Sequence, residues 1–310
     1  MKKISIIVPC YNEEKMIELF YLEATKITNE IKGYSFEYIL INDGSKDNTI
    51  ETIRSLSKKH EDIKYFSFSR NFGKEAAILA GLRNSDGDYA IIMDADLQHP
   101  PRLIKDMLEK VEEGYDSVST KRIDRCGESK FRSFFSSLFF KFLNKISDIP
   151  IVEGATDFRI MSRQMVDSVL ELSEYHRFSK GIFEWVGYDT YWLEYISEDR
   201  ALGETKWSYL SLFKYAIEGI VSFSTTPLRL SSIIGGIISA LSFLYFVVTF
   251  LQTLIFGKDL PGYASTICLI TFLGGIQLVA LGIIGEYLAR TYIQVKGRPN
   301  YIIKETNKKI

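Results

Sequence analysis

Over the first 120 residues, short apolar runs alternate with longer stretches of helical periodicity. Ile4–Val8, Phe36–Ile41, Ile63–Phe68, Tyr89–Met93 and Ser117–Ser119 read as strands, and Glu13–Lys32, Asp47–His60 and Lys74–Asn84 as helices between them. Such alternation predicts an α/β fold with a mostly parallel sheet covered on both faces. The pattern changes near residue 230. Ile233 to Phe256 and Ala264 to Gly285 contain no charged side chain. At ~1.5 Å per residue, each run crosses a hydrocarbon core of ~30 Å with some tilt. Two transmembrane helices are expected, about 233–256 and 264–288, joined by the turn Gly257–Tyr263; a pair of buried core helices is the alternative. The expected organisation is one domain over 1–228, the two spans within 229–290, and a tail over 291–310.

Two further segments carry apolar residues at helical spacing. Phe131, Phe134, Phe135, Leu138, Phe139, Phe142, Leu143 and Ile146 do so within about 129–147, and 207–223 is of the same kind. Phenylalanines beside Lys and Arg suit helices lying in a membrane interface, the alternative being a face packed on the domain's own core. Arg229 precedes the first span, and Arg290, Lys296, Arg298 and Lys304 follow the second. By the positive-inside rule, both termini face the cytoplasm, which makes this a multi-pass cytoplasmic-membrane protein. The net charge of −1 gives no bias towards nucleic acid. Cys10, Cys126 and Cys268 lie too far apart for metal spacing and fit a reducing compartment.

Each of the first four strands ends in a polar cluster: Pro9–Glu14, Asn42–Asp47, Ser69–Lys74 and Asp94–Pro101. A cap or an Asp-Gly turn explains any one of them. Four on one rim imply a lined cleft, because open α/β sheets bind ligands at the carboxyl ends of their strands. Asp94-Ala95-Asp96 directly after a buried strand offers a hard, all-oxygen site suited to Mg²⁺ or Mn²⁺ held together with a phosphate ligand. No G-x-G-x-x-G and no G-x-x-x-x-G-K-[ST] is present, which argues against dinucleotide-binding oxidoreductases and P-loop enzymes.

Pro9-x-Tyr11-Asn12-Glu13, Asn42-Asp43-Gly44-Ser45-x-Asp47, Asn71-x-Gly73, Asp94-Ala95-Asp96-Leu97-Gln98, Ala155-Thr156-Asp157-Phe158-Arg159 and Arg200-x-x-Gly203-x-Thr205-Lys206-Trp207 together resemble family 2 glycosyltransferases. The closer resemblance is to those acting on polyprenyl phosphates, the group of dolichyl-phosphate mannose synthase and the bactoprenol glucosyltransferases. The resemblance implies a GT-A-like nucleotide-sugar fold, a nucleotide-sugar donor, a divalent metal on Asp94 and Asp96, and a polyprenyl-phosphate acceptor. It implies donor contacts from Pro9, Tyr11, Asn12, Glu13, Asp43, Lys74, Asp94, Ala95, Asp96 and Gln98, with Arg200 and Lys206 reaching the phosphates from a mobile loop. It places Asp157 nearest the reacting carbon, so Asp96 and Asp157 are the expected catalytic pair. Asn42 stands where many relatives have a second Asp, and is expected to keep the hydrogen bonding without the charge. The Q-x-x-R-W motif of processive synthases is absent, which points to transfer of a single sugar.

A phosphate monoester is already largely ionised near neutral pH, so such an acceptor needs placement more than deprotonation. Asp157 is therefore expected to orient acceptor or sugar. Arg122 and Arg132 are the candidate acceptor-phosphate ligands, since Arg binds phosphate bidentately; a generic solvated basic face is the alternative. The reading is an inverting transfer of one hexose, from UDP-glucose or a related UDP-sugar, to undecaprenyl phosphate for cell-envelope glycans. A transferase acting on another membrane lipid such as diacylglycerol, or an inactive membrane scaffold, is the alternative. The chain is compatible with a homo-oligomer.

Overall fold

The computed structural model describes residues 1–124, 144, 152–196, 221, 224–256 and 262–308. Its chain divides into two compact units, 1–219 with 298–310, and 220–297. The segments 129–147 and 207–223, expected as interfacial helices, lie essentially outside the described residues, as do Arg132, Arg200 and Lys206.

In the first unit, β1 (Lys2–Cys10), α1 (Ile17–Thr28), β2 (Tyr34–Asn42), α2 (Thr49–Lys59), β3 (Ile63–Phe68), α3 (Lys74–Asn84), β4 (Tyr89–Ile92), α4 (Leu103–Glu112) and β5 (Ser117–Asp124) follow the sequence pattern closely. Then come β6 (Ala155–Ser162), α5 (Arg163–Glu171), α6 (Ser179–Trp185), β7 (Thr190–Ile196) and β8 (Ile303–Thr306). The described strands form one sheet in the order β7-β5-β6-β4-β1-β2-β3-β8. The pairs β1–β2, β1–β4, β2–β3 and β5–β7 are parallel. The pairs β4–β6, β5–β6 and β3–β8 are antiparallel, so the sheet is mixed.

Both faces are covered, which is why the central strands read as unbroken apolar runs. On one face, Ile4, Ile6, Val8, Tyr38, Leu40 and Ile91 pack with Phe20 of α1, Ile53 of α2 and Ile104 and Met107 of α4. On the other, α3 lies against β1 and β2 and is buried without interruption from Ala76 to Leu82. A Cβ at Gly81 would sit 2.1 Å from Cγ2 of Ile7, so only glycine lets α3 approach this closely.

The residues after the spans correct the expectation of a tail: β8 pairs antiparallel with β3 and closes that sheet edge. Glu305 accepts from Nε of Arg54 at 2.8 Å, pairs with its Nη2, and accepts from the Tyr65 hydroxyl at 2.6 Å. Asn307 continues the pairing through Tyr65 N and Ile63 O, and Tyr301 stacks on Phe68.

In the second unit, α7 (Thr226–Phe256) and α8 (Tyr263–Val295) form a hairpin, each helix longer than its charge-free core. At ~1.5 Å per residue each exceeds a bilayer core of ~30 Å. Large apolar side chains along both are exposed, among them Leu241, Phe243, Leu254, Leu278 and Val279. Glu286 pairs with Arg290 at 3.1 Å, and the Tyr287 hydroxyl donates to Ser224 O at 2.6 Å. A Cβ at Gly235 or Gly236 would meet nothing within 4 Å among the described residues.

Candidate active site

The antiparallel register of β4 and β6 sets Ile92 opposite Arg159. Continued by two residues, that register brings Asp94 opposite Asp157. Lys74, the first residue of α3, closes the group. Its Nζ lies 2.8 Å from Oδ1 of Asp94 and 2.6 Å from Oδ2 of Asp157. A cation at the positive end of a helix dipole is unfavourable unless acids answer it, and here two do. Burial alone would lower the pKa of Lys74, but Asp157 and Asp94 more than reverse this and hold it above the ordinary lysine value. Burial would likewise raise Asp157, yet Lys74, with Lys180 and Arg159 behind it, holds the carboxyl well below the usual range. Lys74 and Asp157 are therefore both charged across neutral pH.

Ala95 turns into the core, at 2 % exposure, and leaves its two aspartates on the rim. Oδ1 of Asp96 accepts from Gln98 N at 3.1 Å, across a Leu97 held at φ 57°. A left-handed leucine is strained, and such strain gathers at functional sites. His99 lies beneath, its Nε2 3.9 Å from Oδ2 of Asp94 and its Nδ1 2.6 Å from the Tyr195 hydroxyl. Burial pushes the imidazole pKa below its ordinary value despite the acids nearby. Burial also pushes the Tyr195 hydroxyl up to about 12, opposed first by the charge of Arg122. Arg122 thus acts electrostatically on the same group of residues, on a β5 backbone anchored through Arg122 N to Gly154 O at 2.9 Å.

The loops after β1 and β2 interlock. Asn12, at φ 54°, donates its backbone N–H to Ser45 Oγ (3.0 Å), and its Oδ1 accepts from Lys46 N (2.9 Å). Glu13 N donates to Thr49 Oγ1 at 2.9 Å, so α1 starts at Ile17 and not at Glu13. Asn42 is buried and bridges Ser45 N and Ser67 Oγ, which uses its amide on both sides. Asp43 faces inward, its two oxygens accepting from Phe72 N (2.7 Å) and Gly73 N (2.9 Å). Burial raises its pKa, and those two bonds work against the rise. Gly44, at φ 61°, passes under the next loop, where a Cβ would meet the Arg70 carbonyl carbon at 2.3 Å.

The sequence model of Glycosyl transferase family 2 matches residues 5–170. The chain belongs to this family. Residues 226–291 match a second model, the GtrB C-terminal hairpin. A putative glycosyltransferase, CsbB, of Bacillus subtilis is 47% identical over 98% of this chain and 92% of its own. A prophage bactoprenol glucosyl transferase homolog of Escherichia coli K12 is 43% identical over 99% of this chain and 100% of its own. The bactoprenol glucosyl transferase of Shigella phage SfV is 43% identical over the same shares.

Of the residues expected to serve this family 2 glycosyltransferase, Asp94, Asp157 and Lys74 meet directly. Asp96 and Gln98 join them through the Leu97 turn, and Arg122 approaches through Tyr195. Pro9, Tyr11, Asn12 and Glu13 line the neighbouring loop, whereas Asp43 spends both carboxylate oxygens on backbone. Contact of Asp43 with a nucleoside would use a remaining lone pair. His99, Tyr195 and Lys180 are added by the structure. His99 follows directly on the Asp94–Gln98 motif, but Tyr195 and Lys180 come from distant segments and carry no local signal.

Among the described residues no three acidic, His or Cys side chains form a metal cage. Mg²⁺ and Mn²⁺ do not need one when a diphosphate supplies the remaining oxygens. The ammonium of Lys74 on Asp94 shows that the site already takes a cation. Two carboxylates on a fixed rim fit such a metal.

Proposed function

We propose that this family 2 glycosyltransferase moves one glucose from UDP-glucose to undecaprenyl phosphate at the cytoplasmic face of a membrane, with inversion. The observation that carries the reading is the pairing, on one chain, of the Asp94–Asp157 site with a hairpin matching the GtrB model. Relatives bearing the bactoprenol glucosyl transferase name over their full length point the same way.

Asp94 and Asp96 would hold Mg²⁺ or Mn²⁺, which supplies charge stabilisation to the departing diphosphate. The acceptor phosphate brings its own charge and needs no strong base. Asp157, kept ionised by Lys74, is unsuited to taking a proton near neutral pH and instead orients the reacting groups. Arg122, with Arg132, positions the acceptor phosphate and shields it from the acidic rim. Pro9–Glu13 and the loop ordered by Asp43 take the nucleoside, and Arg200 and Lys206 would contact the phosphates. Apolar α7 and α8 hold this chemistry near lipid headgroups, which raises the effective concentration of a lipid-borne acceptor.

The test is to offer reconstituted protein a panel of radiolabelled nucleotide sugars with undecaprenyl phosphate, and separately with diacylglycerol. Label from UDP-glucose in a monoglucosyl undecaprenyl phosphate is expected. Label in the diacylglycerol lipid, or in no lipid at all, refutes the proposal.

A further inference from the structure

Two residues beyond Asp157, on the same face of β6, Arg159 is completely buried. Its Nη2 donates to Ser119 Oγ at 3.0 Å, and its guanidinium lies over the Phe183 ring at 4.2 Å. Among the described residues, Nε and Nη1 have no hydrogen-bond partner, and neither has Oε1 of Glu184. That oxygen is 3.8 Å from Nη2, beyond hydrogen-bond distance. Buried orphan donors and acceptors are rare in native proteins, and here they converge. They border a small pocket completed by Trp192, Phe178, Ala155 and Lys180, with room for about one water-sized group. Lys180 donates to Ala155 O at 2.8 Å, and its charge acts on Asp157, so the pocket adjoins the candidate active site.

The chemistry of the occupant follows from this set. Guanidinium N–H groups donate and a carboxylate oxygen accepts, and a hydroxyl is the small group that satisfies both at once. Phosphate is too large for the space and would face the Glu184 charge. Trp192 and Phe178 offer apolar surface suited to the C–H groups of a sugar ring. We propose that Arg159 and Glu184 form a subsite reading one hydroxyl of the transferred hexose: the hydroxyl accepts from Arg159 and donates to Glu184, with Trp192 against the ring. This inference rests on the proposed transferase activity, and makes these residues determinants of which sugar is transferred.

The test compares UDP-glucose with its 2-, 3-, 4- and 6-deoxy analogues in transfer to undecaprenyl phosphate by wild type, Glu184→Ala and Glu184→Gln. In the wild type one analogue should lose about 10- to 100-fold in kcat/KM, the scale of a lost hydrogen bond to a charged group. In Glu184→Ala, intact UDP-glucose should fall to the level of that analogue, and removing the hydroxyl should then cost nothing more. Glu184→Gln keeps an acceptor oxygen and should lie between; if the alanine variant does not fold, the same cycle is closed with glutamine. Affinity for UDP, which lacks the sugar, should stay unchanged in both variants. Equal turnover of all analogues by the wild type would mean that the pocket holds only water, and overturns the subsite. So would unchanged discrimination in the variants, or a parallel loss of UDP affinity. A wild type that transfers no glucose, with or without deoxygenation, instead overturns the activity on which the subsite depends.

Discussion

Lys74 lies against Asp94, the proposed metal ligand, and removing it tests that proposal. Its Nζ lies 2.8 Å from Asp94 and 2.6 Å from Asp157. A unit charge pair at ~2.8 Å is worth about 1.5 kcal/mol at the dielectric of water and about 6 kcal/mol at an effective value of ~20. The Lys74 side chain is 42% exposed, which places the interaction towards the lower figure. After desolvation and side-chain entropy, a net contribution of about 1–2 kcal/mol is reasonable. A metal arriving at Asp94 without donor must offset this. Lys74→Met should therefore strengthen Mn²⁺ binding to the donor-free protein by about 5- to 30-fold. Titration calorimetry, or the decline of the free Mn²⁺ electron paramagnetic resonance signal, reads this directly. Any lost positive charge nearby favours a cation somewhat, so Lys180→Met is the control: it acts on Asp157 but donates to Ala155 O. Its effect should be clearly smaller. Equal effects in the two variants, or no gain in Lys74→Met, would refute direct competition at Asp94.

Three further outcomes follow from the same geometry. Asp96→Ala should abolish transfer while leaving the melting temperature within a degree or two, because a rim carboxylate contributes little to stability; EDTA should reproduce the loss, and Mg²⁺ or Mn²⁺ should reverse it. Asp157→Asn should lower kcat at least about tenfold, the scale of a lost charged contact, and raising the pH above ~7 should not restore it, since an already ionised phosphate needs no base; alkaline rescue would make Asp157 a true base. Arg54 depresses the Glu305 carboxyl to about 2, so the clamp is complete above the ordinary glutamate pKa and is lost as pH falls from there towards about 2. With both side chains partly exposed it is worth about 1 kcal/mol, and Glu305→Gln should remove that amount at pH 7 and progressively less as pH falls towards about 2 in denaturant titrations.

The alternation of apolar runs made the parallel half of the sheet legible, because strands buried on both faces leave continuous signatures such as Ile4–Val8 and Ile63–Phe68. The antiparallel additions were harder to see. β8 is only four residues, Ile303–Thr306, and its stability comes from pairing with β3 and from Arg54 and Tyr65, not from its own pattern. Asp94 and Asp96 stood out because their chemistry is local. The contact of Lys74 with Asp157 joins positions 83 residues apart in sequence, and the Tyr195–His99 bond joins positions 96 apart. No local spacing encodes either. Asp43 shows the opposite case: its place in a motif marks it as important, but only the folded loop shows its carboxylate engaged with Phe72 and Gly73.

The return of the chain to the sheet also bears on topology. The hairpin of α7 and α8 is inserted between two parts of one folded unit, 1–219 and 298–310. Residues on either side of a membrane cannot share a hydrogen-bonded sheet. β3 and β8 do share one, so the number of crossings between them must be even. If α7 spans, α8 must span back. The placement of Arg229 before the hairpin and of Lys296 and Arg298 after it is the charge bias on which the proposed cytoplasmic side rests. Strand pairing constrains only the parity of crossings, and charge bias alone carries the proposed orientation. A cysteine introduced at Lys258 should react with a membrane-impermeant maleimide in intact cells, while one at Lys308 should react only after permeabilisation. Labelling of the Lys308 position alone in intact cells would reverse the proposed orientation, and labelling of both positions would mean that α8 does not cross between them.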